Sequence, residues 1–235
     1  MELARDYHLY VIEDATESLG GTFAHGTYAG CHTGTVGHAG VYSFNGNKII
    51  TTGGGGMIVS DDPEAVEHMR YLSQQAKDDP LYFVHEEYGY NYRMTNLQAA
   101  LGLAQLEQLD GFLDIKRKNY HWYCEALAEC SYGHIQPFGS GDSSNHWYYS
   151  FVLNEPNGER RDQLLRFLSS QNIQTRPIWK LNHMQTPFRQ FRAMDCSCAE
   201  RFYNSVLNIP CGTNLTEEQR ERVCMALLNF QPGKG

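Results

Sequence analysis

No stretch of this 235-residue chain approaches the roughly 18 consecutive apolar residues that a membrane-spanning helix needs. The opening residues, Met1-Glu-Leu-Ala-Arg-Asp-Tyr-His-Leu, hold no apolar segment that reads as a signal peptide. The seven cysteines, at 31, 124, 130, 196, 198, 211 and 224, are odd in number and include no CxxC pair. That spacing argues against a disulfide framework and for reduced thiols in a cytoplasmic protein. The ten histidines, among them His25, His32 and His38, form no helical i, i+4 pair and lack a CxxC partner, so no metal site is expected. Basic charge is also scarce: 19 Lys and Arg against 27 Asp and Glu give a net charge of −8. An acidic chain is a poor general partner for nucleic acid. There is no internal repeat and no low-complexity segment.

What remains is the material of a folded globular protein. Hydrophobic residues make up 41 % and aromatics 12 %, enough to bury a core and too much for a disordered chain. The length suits one large domain or two modest ones. Residues 2–7 look like the tail of a helix. Leu9-Tyr-Val-Ile-Glu-Asp14 reads as a buried parallel strand ending at its acidic residues. Gly40-Val-Tyr-Ser-Phe44 and Gly56-Met-Ile-Val-Ser60 are two further strands, separated by a loop with glycines at 46 and 53–55. Asp61-Asp-Pro-Glu opens a helix that runs to about Gln75, with an acidic cap and proline in the first turn. Residues 77–93 read as a long polar and aromatic loop, which is uncommon unless functional. Thr95-Asn-Leu-Gln98 and Thr216-Glu-Glu-Gln219 are capping boxes, each opening a helix. A further helix covers roughly 112–129. Beyond it, strand-like runs at 146–153 and 173–178 alternate with helices near 159–170, 197–206 and 216–229. The change of pattern divides the chain into residues 1–112 and residues 113–235.

Two segments carry candidate chemistry. In Val11-Ile-Glu-Asp14-Ala-Thr-Glu17-Ser-Leu-Gly-Gly, a carboxylate sits where a strand ends, the edge at which open α/β sheets bind ligands. In Val41-Tyr-Ser43-Phe-Asn-Gly-Asn-Lys48-Ile-Ile-Thr-Thr-Gly53-Gly-Gly-Gly56-Met, a lone lysine sits on a glycine-rich loop between two strands. A lysine partly withdrawn from water exposes a nucleophilic amine, which can form a Schiff base with an aldehyde such as pyridoxal phosphate. Such a cofactor also needs an acid for its ring nitrogen, donors for its phosphate and closely approaching backbone. Asp14, Ser43 and the four glycines are candidates for these in turn. Singly, each has a plainer explanation: a solvated lysine, a helix-capping aspartate, a flexible turn. A nucleotide-binding loop on Gly53–Gly56 lacks the following Lys-Ser or Lys-Thr, and no GxGxxG follows a strand.

In combination these strings resemble the DegT-type sugar-nucleotide aminotransferases, and the resemblance continues through Gly89-Tyr-Asn91-Tyr-Arg93-Met and more faintly through Thr175-Arg176-Pro-Ile-Trp179 and His183. It spans essentially the whole chain. It implies an α/β protein of the fold-type I, aspartate-aminotransferase-like class, with an incomplete large domain over 1–112 and a small C-terminal α+β domain over 113–235. It implies pyridoxal 5′-phosphate as cofactor and Lys48 as the Schiff-base lysine that also shuttles a proton. Asp14 would be the partner of the ring nitrogen and Ser43 a phosphate ligand. Glu17 stands where members touch the ring face or its 3-hydroxyl, a place where Gln is also common. Asn91 resembles a residue reaching the cofactor phosphate of a neighbouring subunit, which implies a homodimer with shared active sites and makes 77–93 an arm across the interface. Arg93 resembles a residue facing the substrate's nucleotide phosphates, a task that suits its planar fork. Arg176 and His183 are further candidates for substrate contacts. The implied reaction moves an amino group from glutamate to a nucleotide-linked keto-sugar, feeding amino sugars into surface polysaccharides or antibiotics. Relatives that dehydrate sugars carry His in place of the lysine, and Lys48 argues against that branch.

The resemblance also implies a long segment before the aspartate strand, with the loop that binds most of the cofactor phosphate and an aromatic that stacks on the ring. Neither is in this sequence, so the chain reads as a fragment, a truncated product or one part of a split enzyme. Weak cofactor retention is the expectation, with exposed apolar faces and an unpaired sheet edge. The competing expectation is a catalytically silent oligomerisation or binding module that keeps the fold without turnover.

Overall fold

The computed structural model describes residues 1–139 and 143–231, and two units are distinct in it: Met1–Asp114 with Ser140–Trp147, and Ile115–Gly139 with Tyr148–Gly235. A chain break placed near residue 112 has no place for the return of 143–147 to the first unit. That return joins residues about a hundred positions apart, which local sequence pattern does not register.

In the first unit, helix α1 (Glu2–Asp6) leads into β1 (Ile12–Asp14). β1 pairs in parallel with β2 (Ala39–Ser43), and β2 pairs antiparallel with β3 (Gly56–Val59), giving the order β1-β2-β3. The parallel pairing agrees with the sequence reading; the buried character of residues 9–14 does not. Leu9 is 56 % and Ile12 70 % exposed, because β1 is an edge strand here.

The register places Glu13 opposite Gly40 and Asp14 opposite Val41. With side chains alternating across a strand, Asp14, Val41 and Ser43 share one face, while Glu13, Gly40 and Tyr42 share the other. Glu13 fixes the crossover between the two strands. Its Oε2 accepts from the Gly34 N–H at 2.8 Å, and its Oε1 from Val36 at 2.6 Å and Gly37 at 2.5 Å. Burial pushes its carboxyl up, but the three backbone donors outweigh that and hold it below its ordinary value. Tyr42 donates its hydroxyl to the Thr33 carbonyl at 2.6 Å, closing the same turn. The turn requires glycine: Gly34 has φ +89°, and a Cβ at Gly40 would lie 1.8 Å from the Gly34 carbonyl oxygen. Ala15, Tyr42, Phe44 and Ile50 form a small core, with Leu19, Val59 and Phe112 packed on it.

Helix α2 (Pro63–Ser73) starts on the Asp62 carboxylate, which accepts from Glu64 and Ala65 N–H groups. Helix α3 (Asn96–Leu106) carries the Thr95–Gln98 capping box, yet buries no side chain; Leu97 is 85 % exposed. Helix α4 (Leu109–Ala126) runs from the first unit into the second.

The second unit is an antiparallel sheet in the order β4-β5-β7-β6: Gly133–Ile135, Tyr149–Leu153, Val206–Ile209 and Arg176–Pro177. Helices α5 (Gly158–Ser170), α6 (Ser197–Tyr203) and α7 (Glu217–Asn229) complete it, α7 opening on the Thr216–Gln219 capping box. The sequence reading's 197–206 helix overlaps β7 at Val206 alone, and the reading has no strand there. Val206-Leu-Asn-Ile209 is wholly buried between two neighbours, and four residues are too few to carry a period that separates helix from strand. Tyr123, Tyr149, Phe151, Leu164, Leu168, Leu207 and Leu227 are at most 1 % exposed in one cluster. Each such leucine contributes about 1.5–3 kcal/mol by leaving water.

Glu13→Gln is expected to lower the stability of the first unit by about 1–2 kcal/mol at neutral pH, the size of a weakened charged hydrogen-bond set after solvent screening. Because the folded-state value of Glu13 is depressed, its contribution is complete above its ordinary 4.5 and disappears as pH falls through the lower folded value. The gap in melting temperature between wild type and variant should therefore close in acid, and a gap that stays constant from pH 7 to pH 3 rules out this role for the carboxylate.

Candidate cofactor site

The site lies on the Asp14 and Ser43 face of β1 and β2. The chain turns back just after β1, and Asp14 Oδ1 caps that turn, accepting from the Thr16 hydroxyl at 2.6 Å and the Thr16 N–H at 3.2 Å. The Thr16 hydroxyl first, then its N–H and the Lys48 charge, hold the Asp14 carboxyl below the usual aspartate range. The side chain is solvent-exposed and ionised at neutral pH.

β2 ends at Ser43, whose Oγ accepts from the Asn45 N–H at 3.3 Å. A tight turn follows, closed by the Lys48 N–H to the Asn45 carbonyl at 3.1 Å. It delivers Lys48 back over the strand end. The Lys48 side chain is only 13 % exposed, and Nζ donates to Glu17 Oε1 at 3.2 Å. The same Nζ lies 4.2 Å from the centroid of the Trp147 ring. Thr16, Glu17, Ser43, Lys48, Asn145 and Trp147 line a pocket of about 10 Å³, room for one water.

The donor set suits a pyridoxal phosphate: an amine, an ionised carboxylate that acts on that amine electrostatically, and a strand-end hydroxyl. The described residues present these groups on an open face and do not enclose a ring-sized volume. The glycine run serves the backbone. Gly53 (φ +77°) and Gly55 (φ +117°) turn the chain into β3, and a Cβ at Gly56 would lie 2.5 Å from the Tyr42 carbonyl oxygen, so the close approach there is to β2.

Asn145 and Trp147 are residues that the sequence reading did not place in the site. Asn145 Nδ2 donates to the Glu17 carbonyl at 2.8 Å and the Leu19 carbonyl at 3.1 Å, and its Oδ1 accepts from the Trp147 N–H at 3.0 Å. Trp147 Nε1 donates to the Asn47 carbonyl at 2.6 Å. The only local sign was an Asn-His-Trp string just before a strand.

Asn91 and Arg93 are exposed and are not among the residues lining the Lys48 pocket. Their segment is pinned along the end of α2 by backbone bonds, Tyr90 N–H to the Leu72 carbonyl at 2.7 Å and Tyr92 N–H to the Ser73 carbonyl at 3.1 Å. Arg176 and His183 belong to the second unit. Arg176 lies on the edge strand β6, and His183 Nε2 sits 3.1 Å from Glu200 Oε1. Among the described residues there is no group of three His, Cys, Asp or Glu side chains able to hold a metal, and no helix long and apolar enough to cross a membrane.

The sequence pattern of the DegT/DnrJ/EryC1/StrS aminotransferase family matches residues 1–228. The chain is 38 % identical to EpsN of Bacillus subtilis, over 98 % of this chain and 58 % of that protein. It is 37 % identical to GDP-perosamine synthase of Caulobacter vibrioides, over 97 % and 60 %. Among solved structures, DesI in the presence of its TDP-sugar product is similar with a TM-score of 0.84 at 26 % identity, over 97 % of this chain and 57 % of DesI. Helicobacter pylori PseC, an aminotransferase involved in pseudoaminic acid biosynthesis, is similar in fold, with a TM-score of 0.87 at 23 % identity over 97 % and 61 %. The chain spans about three fifths of the length of the curated relatives it matches. Matched over nearly all of its own length, it belongs to the DegT/DnrJ/EryC1/StrS aminotransferase family and has the mixed α/β fold of the fold-type I transferases.

Proposed function

We propose that this chain carries the lysine-bearing part of a pyridoxal-phosphate-dependent aminotransferase that moves an amino group from glutamate to a nucleotide-linked keto-sugar. The observation that carries the proposal is the gathering of Lys48, Glu17, Ser43 and Asp14 at one strand edge, with the amine largely withdrawn from water. The substrate class is supported by relatives named GDP-perosamine synthase in Caulobacter vibrioides and, at 32 % identity, in Escherichia coli O157:H7.

When bound, the cofactor supplies an electron sink for the substrate carbon that loses its proton. Lys48 Nζ would be the amine that holds the cofactor through its aldehyde group, and as a free amine it would take and return a proton at Nζ. Glu17 holds that nitrogen in place through its carboxylate. Asp14 keeps a negative charge for the ring nitrogen, so that the nitrogen stays protonated. Ser43 Oγ donates to a phosphate oxygen. Asn91 and Arg93, on their exposed segment, serve the site of a second copy, Asn91 at the cofactor phosphate and Arg93 at the nucleotide phosphates. Arg176 and His183 contact the sugar nucleotide.

Borohydride reduction after addition of millimolar pyridoxal phosphate should place the adduct on Lys48 and lose it in Lys48→Ala. Labelling spread over exposed Lys118 and Lys180 with no preference for Lys48 would contradict the assignment. Without reduction, the chain by itself should lose the cofactor on desalting; retention of one equivalent with transaminase turnover would show the reverse. Thr16→Val removes the largest influence holding the Asp14 carboxyl low. Its titration, followed by carboxyl NMR, should move up towards the ordinary aspartate range. An unmoved Asp14 titration would remove Thr16 from this role.

A further inference from the structure

We propose that Trp147 is a positioning residue for the Lys48 amine, an inference that rests on the reading of Lys48 as the residue that bonds the cofactor. The indole is 9 % exposed, and its Nε1 donates to the carbonyl of Asn47, the residue just before Lys48. That bond ties the ring to the turn that carries Lys48. The ring's face, 4.2 Å from Nζ at the centroid, is turned towards the ammonium. A cation within about 6 Å of an aromatic face is attracted by the ring's quadrupole. Glu17 Oε1 holds the same Nζ at 3.2 Å.

Asn145 makes these two holds a single device. One side chain ties the backbone at Glu17 and Leu19 to the backbone of Trp147. The carboxylate and the indole therefore cannot drift apart without breaking buried hydrogen bonds. A lysine tail has several rotatable bonds and loses much freedom when its end must occupy one place. Here the indole and the carboxylate restrict it in advance. When the amine is not bonded to cofactor, it stays parked between the indole and the Glu17 carboxylate.

A packing role and a positioning role for Trp147 make different demands on a replacement. Phenylalanine keeps an aromatic face and loses the Nε1 donor. Leucine keeps apolar bulk and loses the face. The test is trace acetylation of the purified chain with acetic anhydride, mapped residue by residue, with exposed Lys118 and Lys180 as internal references. Wild-type Lys48 should be protected. Trp147→Leu should raise its labelling about three-fold or more, the size of one exposed cation–π contact, while Trp147→Phe stays within about two-fold of wild type. The share of pyridoxal phosphate that borohydride fixes on Lys48 should fall by a similar factor in the leucine variant only. Trp147→Met takes the place of the leucine variant if circular dichroism shows the latter unfolded. Equal effects of Phe and Leu, or no effect of either, would overturn the proposal. Protection lost in Leu and kept in Phe, with no Lys48 preference for pyridoxal phosphate in wild type, would uphold the indole's hold and sink the cofactor reading. A wild-type Lys48 preference that survives Trp147→Leu unchanged would do the opposite.

Discussion

One carboxylate accepting three backbone N–H groups underlies the rest of the first unit. Only three residues of β1 pair with β2, and their outer edge is unpaired. A ladder that short is marginal on its own. Glu13 compensates by binding the 34–37 turn directly to the strand, and Tyr42 closes the same turn from β2. The next residue, Asp14, has the same chemistry and the opposite surroundings. It faces solvent, caps a local turn and stays ionised. Two adjacent acids thus face a backbone turn and solvent respectively, through the two-residue alternation of a strand.

The elements legible in the sequence are those with local causes. Asp62, Thr95 and Thr216 mark helix starts because a capping side chain and its N–H partners are two or three residues apart. The β2 and β3 strands are legible through their β-branched and aromatic residues between glycines. Asp14, Glu17, Ser43 and Lys48 were legible through two compact strings, and the structure gathers them. The burial of β1 was misjudged because an apolar run reports composition and not whether a neighbouring strand exists. β7 was missed because four buried residues carry no usable period. Asn145 and Trp147 had only the faint sign of an Asn-His-Trp string, since what makes them part of the site is their contact with residues 17–19 and 47–48. Asn91, Arg93, Arg176 and His183 were legible only through resemblance, and none of them is among the residues lining the Lys48 pocket.

The division of buried apolar material between the two units is uneven. The second has an antiparallel sheet whose inner strands, β5 and β7, lie against a continuous cluster from Tyr120 to Phe230. The first has four buried core residues in its cluster and a helix, α3, with none. Local opening free energy follows buried contacts. Amide protons along β5 and β7 therefore belong to the slowest class of solvent exchange in this molecule, and those around the Lys48 turn to a much faster one. The Lys48 turn thus lies in the unit with the smaller buried cluster.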